Sequence, residues 1–227
     1  MPTSRPEEMG LLACPFRMKR QFRLGHLLYS YPMRSSAIGD TRAIAGTAVF
    51  ASVIAWSCGL QNTPFIDDWT YAWSVEHLLR TSEIRILDWS ASPNVAADPL
   101  GTLFCVPSGF SFTALRISTW VASVLGVIGV FRLLRVGGVS VRDALLGACL
   151  LEACPVFLIL SFTFMTDILW LTPAIWFAYA LVKAVQARSN AWLITATIFG
   201  CIAGAVRVTG AALPLVAMAV LWFHTSG

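Results

Sequence analysis

Three aspartates and two arginines interrupt a mostly apolar chain in a pattern that can do chemistry. Asp67 and Asp68 are adjacent in the run Phe65-Ile66-Asp67-Asp68-Trp69-Thr70-Tyr71, and a third acid closes Phe164-Met165-Thr166-Asp167. A carboxylate at a helix start accepts backbone N–H groups and meets the positive end of the helix dipole. One aspartate suffices for that. A second beside it, at a membrane surface, must stay solvated or find a cation, which points to a polar pocket. Asp167 has the same capping account, with Thr166 as an alternative cap. Two separated carboxylate sites that open on one face can act as base and electrostatic partner, or share a cation. Arg207 and Arg116 supply the opposite charge: a guanidinium matches phosphate oxygens with paired hydrogen bonds. The plainer account of either arginine is a side chain reaching back to lipid headgroups. Glu152 lies inside an apolar run, a costly place for a charge, where it is protonated or paired within a bundle and Pro155 loosens the backbone beyond it. His26, His77 and His224 form no cluster and receive no role.

The elements that must position these groups are membrane helices. A hydrocarbon core of about 30 Å needs roughly 20 helical residues, and the apolar runs at 43–60, 112–131, 144–162, 168–185, 191–206 and 211–223 answer to it. The expected fold class is therefore all-α, a polytopic transmembrane helical bundle of about six spans with a long non-cytoplasmic first loop. Seven of the sixteen Lys and Arg precede Ala43, which marks a cytoplasmic N-terminus under the positive-inside rule. Arg132, Arg135 and Arg142 flank the Gly137-Gly138 turn, and Lys183 and Arg188 mark the next cytoplasmic turn. Residues 61–111 and the turn at Thr166-Asp167 then lie outside, provided that residues 96–106 do not span. Asp98, Pro99, Gly101 and Pro107 argue for a re-entrant or surface segment there. The loop's amphipathic stretch through Trp73, Glu76 and Leu79 suits a helix along the bilayer surface, with Trp69, Trp73 and Trp89 at headgroup level. Arg116 and Arg207 fall on the outer side against the charge rule, and so ask for a reason.

Composition excludes a soluble domain. Of the 227 residues 57% are hydrophobic and 12% charged, with mean hydropathy +0.71; a soluble domain carries about a quarter charged residues. Lipid must solvate the excess, so the net charge of +4 is no sign of nucleic acid. The six cysteines show no metal or CxxC spacing, and most sit in apolar runs as small hydrophobes. There is no Asn-x-Ser/Thr sequon, and no apolar core of signal-peptide type precedes Arg42. The domain reading is a flexible cytoplasmic tail over residues 1–42, with Met33 as an alternative start, and a transmembrane module over 43–227.

In order and sidedness these motifs resemble the GT-C membrane glycosyltransferases. The nearest group is glycosyltransferase family 39, with the dolichyl-phosphate-mannose–protein mannosyltransferases and the lipid A aminoarabinose transferases. Asp67-Asp68-Trp69-Thr70-Tyr71 is similar to that family's D-[DE]-x-x-Y motif, and Asp167 to its acid before the fourth span. Gly109-Phe110-Ser111-Phe112-Thr113-Ala114-Leu115-Arg116 resembles its approach to the second span; Gly200, Gly204 and Arg207 resemble its Gly-rich fifth span with a basic residue after it. Family members usually continue through more spans, so the chain is expected to be an N-terminal portion.

The resemblance implies inverting transfer of a sugar from a polyprenyl-phosphate donor to an acceptor at the non-cytoplasmic face. Asp67 would be the base; Asp68 and Asp167 would orient it or hold a divalent cation, Mg or Mn. Arg207, with Arg116, would bind the leaving phosphate, and Tyr71 and Trp69 complete the implied substrate-binding set. The absence of sequons and the basic N-terminal side are compatible with a bacterial inner membrane. Two rivals remain at this stage: a transporter or flippase of lipid-linked sugars, in which Asp167, Glu152 and Arg207 bind without chemistry, and a non-catalytic assembly subunit whose acids are caps.

Overall fold

The computed structural model describes residues 37–58 and 62–225, and every regular element among them is helical. In chain order they are α1 (Ala37–Cys58), α2 (Asp68–Thr81), α3 (Ala97–Cys105), α4 (Phe112–Val136), α5 (Val141–Glu152), α6 (Pro155–Ser161), α7 (Thr166–Ala187), α8 (Asn190–Val206), a 3-10 turn (Val208–Ala211) and α9 (Ala212–Thr225). The expected tail over residues 1–42 lies outside the described residues as far as residue 36; its last six belong to α1.

Among the described residues α4 and α7 are each long and apolar enough to cross a membrane, and α5 with α6 makes a third crossing if the bent pair counts as one span. The protein is a helical membrane bundle. Each run expected to span coincides with a helix or helix pair, but the one at 144–162 is broken, its halves meeting at 66°. The cause is Pro155, which lacks an N–H and bars its predecessor from the α region; Cys154 accordingly takes φ −66°, ψ 120°.

Three hydrogen bonds fix α7 against α4. Thr172 Oγ1 donates to the Ala122 carbonyl (2.8 Å), Trp176 Nε1 to Leu125 (3.0 Å) and Gln186 Nε2 to Val136 (3.0 Å). The partners are 50, 51 and 50 residues apart, so the two helices run parallel at constant register. Small residues permit the approach: a Cβ on Gly126 would stand 2.8 Å from Thr172 Oγ1, and one on Gly129 2.9 Å from Ile175. At the far end of α4, Arg135 pairs with Asp40 (3.2 Å) and donates to the Val139 carbonyl, tying the start of α1 to the Gly137-Gly138 turn.

The segment expected not to span is α3, nine residues long. It packs into the bundle rather than lying on it. Gly101 is the contact point, where a Cβ would come within 2.8–3.0 Å of Phe164, Leu115 and Val75. Gly210 makes the tight return from α8 to α9: its added Cβ would collide with the Ala203 carbonyl and the Gly204 nitrogen, both backbone. Backbone cannot swing aside as a side-chain tip does. Gly210→Ala is therefore expected to lower stability by about 1–3 kcal/mol, read as a lower midpoint in a detergent thermal-shift assay, whereas Gly46→Ala, inside α1 with open space around it, should not lower the midpoint.

Candidate active site

The turn before α2 separates the two adjacent acids. Asp68 is fully buried; its Oδ1 accepts the Phe65 N–H (2.7 Å) and its Oδ2 faces Arg116 Nη2 at 3.1 Å. The same Arg116 nitrogen donates to the Thr63 carbonyl (2.5 Å), so one guanidinium from α4 holds both sides of the turn. Asn62 adds a second tie, its Oδ1 accepting from Ser111 Oγ and the Phe112 N–H at the start of α4. Between the anchors Ile66 adopts φ 54°, a left-handed conformation that costs a non-glycine residue roughly 1–2 kcal/mol. The result is that Asp68 is drawn in while Asp67 stays at the surface. It is exposed, and although it occupies the N-cap position of α2 its side chain makes no capping bond.

Asp167 begins α7 and Arg207 ends α8, and they meet as an ion pair of 2.5 Å, each side chain about one-third exposed. The 50-residue register between α4 and α7 brings Asp167 level with Ile117, beside Arg116. Both acid–arginine pairs therefore sit at the same end of the bundle, opposite the Asp40–Arg135 pair. Below Arg207 runs an apolar cleft of about 370 Å³ between α3, α4, α7 and α8, lined by Ala97, Leu100, Leu169, Pro173, Trp176 and Val206 among others.

Residues that sequence reasoning passed over stand beside this pair. Asn94, at φ 51°, donates its N–H to the Val206 carbonyl, and Ala96 donates to Ala205. Asn94 Nδ2 also donates to Asp98 Oδ1 at 2.6 Å, and both side chains are buried. Burial pushes the Asp98 carboxyl up to about 7, against the opposing pull of the Asn94 hydrogen bond. Asp98 served in the sequence only to argue against a span; its place four residues after an asparagine was the available signal.

Residues 100–226, more than half of the chain, match the family model described as dolichyl-phosphate-mannose-protein mannosyltransferase. The chain belongs to this family. It is a membrane glycosyltransferase of the mannosyltransferase type, and the family implies a lipid-linked sugar donor. The resemblance drawn from the motifs is borne out. No curated protein and no solved structure matches the chain.

The part matched to the mannosyltransferase family contains Arg116, Asp167 and Arg207, while Asp67 and Asp68 precede it. Of the other residues the sequence singled out, Tyr71 is a core residue at 7% exposure, and Trp69 is exposed, edge-on to Trp89 at 6.3 Å. Glu152 is fully buried at the α5–α6 break, its Oε2 lacking a hydrogen-bond partner among the described residues. As arranged, these side chains do not fit a divalent cation. Both oxygens of Asp68 are engaged, Asp167 faces Arg207, and among the described residues no three His, Cys, Asp or Glu converge.

Proposed function

We propose that this mannosyltransferase-family protein moves a sugar, with inversion, from a polyprenyl-phosphate donor to an acceptor hydroxyl at the non-cytoplasmic face. One observation carries the proposal: an exposed carboxylate that makes no capping bond and an arginine stand at the same end of the bundle, the arginine directly after Val206, which lines an apolar cleft. The cleft suits a prenyl chain, because burying apolar surface there stabilises by roughly 25 cal/mol per Å² and leaves the phosphate at Arg207. The acceptor oxygen attacks C1 from the face opposite the phosphate. As that C–O bond forms, its proton passes to Asp67 and the bond from C1 to the phosphate oxygen breaks. Arg207, aimed by Asp167, takes up the charge that develops on the leaving phosphate. Asp68 and Arg116 hold the turn that presents Asp67.

The deciding experiment incubates purified protein with radiolabelled polyprenyl-phosphate mannose and other polyprenyl-phosphate sugars, then follows label into acceptor and determines the anomeric configuration. Inverted product is expected. Arg207→Ala should lower kcat by about 10²-fold, and Arg207→Lys, which keeps the charge but not the planar fork, should recover only part of it. Retained configuration would reject Asp67 as base. Movement of intact donor across liposomes with no bond cleaved would instead support transport.

A further inference from the structure

We infer that Asn94 and Asp98 close into a carboxylic acid–amide pair that positions Arg207, which makes Asp98 a positioning residue for donor binding. The donor-binding part rests on the role given to Arg207 above; the pair itself does not. Arg207 leaves α8 in an extended conformation, φ −138°, ψ 138°. The last carbonyls of a helix have no partner within it, and here Ala205 and Val206 receive theirs from the N–H groups of Ala96 and Asn94, at 3.4 and 3.3 Å. The residue that follows this two-bond splint is Arg207. Asn94 is fixed in turn, its carbonyl accepting the N–H groups of Ala97 and Asp98 and its amide reaching Asp98.

Two atoms are left over. Asn94 Oδ1 and Asp98 Oδ2 are buried without hydrogen-bond partners among the described residues, and two acceptors cannot satisfy one another. A single proton resolves both. Protonated Asp98 donates from Oδ2 to Asn94 Oδ1 while Asn94 Nδ2 donates to Asp98 Oδ1, closing a ring of two hydrogen bonds. The site favours that proton. Asp98 is 1% exposed, and its carboxyl is pushed up to about 7 by burial, with the Asn94 bond acting the other way. The elements around α3 carry Asp68, Glu76, His77 and Arg80 on α2, Arg116 on α4, and Asp167 with Arg207 at the ends of α7 and α8. Asp68 is engaged with Arg116, Glu76 with Arg80 and Asp167 with Arg207, His77 stacks on Trp73, and none of them contributes to the Asp98 shift. Raising the pH through about 7 ionises Asp98, sets two acceptors against each other and opens the ring. Stability that the neutral acid contributes in the fold is lost before that, as the pH rises from the ordinary value of 3.8 to about 7.

The test uses the full chain in detergent with two readouts, amide hydrogen exchange over residues 207–210 and the KM for polyprenyl-phosphate mannose. Asp98→Asn restores both bonds without a titrating group, so exchange and KM should match wild type at pH values well below about 7, where Asp98 is protonated. The rise in KM expected of wild type above about 7 should be missing. Asp98→Leu fills the space but opens the pair: exchange and KM should both rise about tenfold, and kcat should fall in the direction of Arg207→Ala. Asn94→Gly, which keeps the left-handed backbone and deletes the amide, should do the same and serves if the leucine variant does not fold. Equal exchange in the Asn and Leu variants overturns the pair, and equal KM overturns the positioning. Should wild type transfer no sugar at all, the proposed function falls, and the exchange measurement still decides the pair.

Discussion

Asp67→Asn is expected to lower kcat for sugar transfer by about 10²–10⁴-fold, the contribution typical of a positioned general base, without altering the folded protein. The separation of the two effects follows from geometry. Asp67 is exposed and makes no side-chain capping bond to α2, so replacing it by an isosteric amide removes no contact that the fold uses. Substitutions at such positions usually change stability by no more than about 0.5 kcal/mol. What the amide cannot do is take a proton from the acceptor oxygen. Asp67→Glu keeps the carboxylate but sets it one methylene farther out, and should fall between wild type and Asn. KM for the lipid donor should stay near wild type in both variants, because the phosphate is bound elsewhere, at Arg207. A size-exclusion profile and thermal midpoint equal to wild type complete the expected result. Transfer by Asp67→Asn at the wild-type rate would remove Asp67 from the mechanism.

Much of this site was legible because charge is so costly in a membrane. Arg116 and Arg207 each stand at the end of an apolar run, on the side that the charge reading assigns to the minority of basic residues, and each meets an aspartate in the structure, Asp68 and Asp167. A cation on the unexpected side of a bundle needs a counter-charge, and sequence alone is enough to ask for it. The broken crossing was legible too, in the Pro155 that ends α5. The division of labour within Asp67-Asp68 was not. Two adjacent carboxylates look equivalent until the left-handed Ile66 turns one outward and Arg116 draws the other in. The Asn94–Asp98 pair was hidden for another reason: its anchor is the backbone of Ala205 and Val206, more than a hundred residues away, and no periodicity relates them. The register of α7 on α4 rests on single hydrogen bonds from Thr172, Trp176 and Gln186, which hydropathy does not see.

The largest loss of stability should come from parting Asp68 and Arg116. Their side chains are 0% and 6% exposed, so removing either leaves the other charged and buried. Breaking such a pair from one side costs about 3–5 kcal/mol, a large part of the stability of a typical domain. Asp68→Ala has a second consequence, since the Phe65 N–H loses its acceptor. Both Asp68→Ala and Arg116→Ala should therefore show much lower thermal midpoints in detergent and less monodisperse protein. The double variant Asp68→Leu with Arg116→Met buries no charge and should regain most of the lost stability, because apolar replacements of buried ion pairs are often neutral. Activity should not return with it. The guanidinium that also holds the Thr63 carbonyl is gone, and with it the anchor that keeps the strained Ile66 turn, and hence Asp67, in place. A stable double variant with little transfer is thus the signature of a pair that presents the base. The contrary result is a stable but inactive Asp68→Ala, since a carboxylate that can be deleted without harm to the fold must act on the substrate itself.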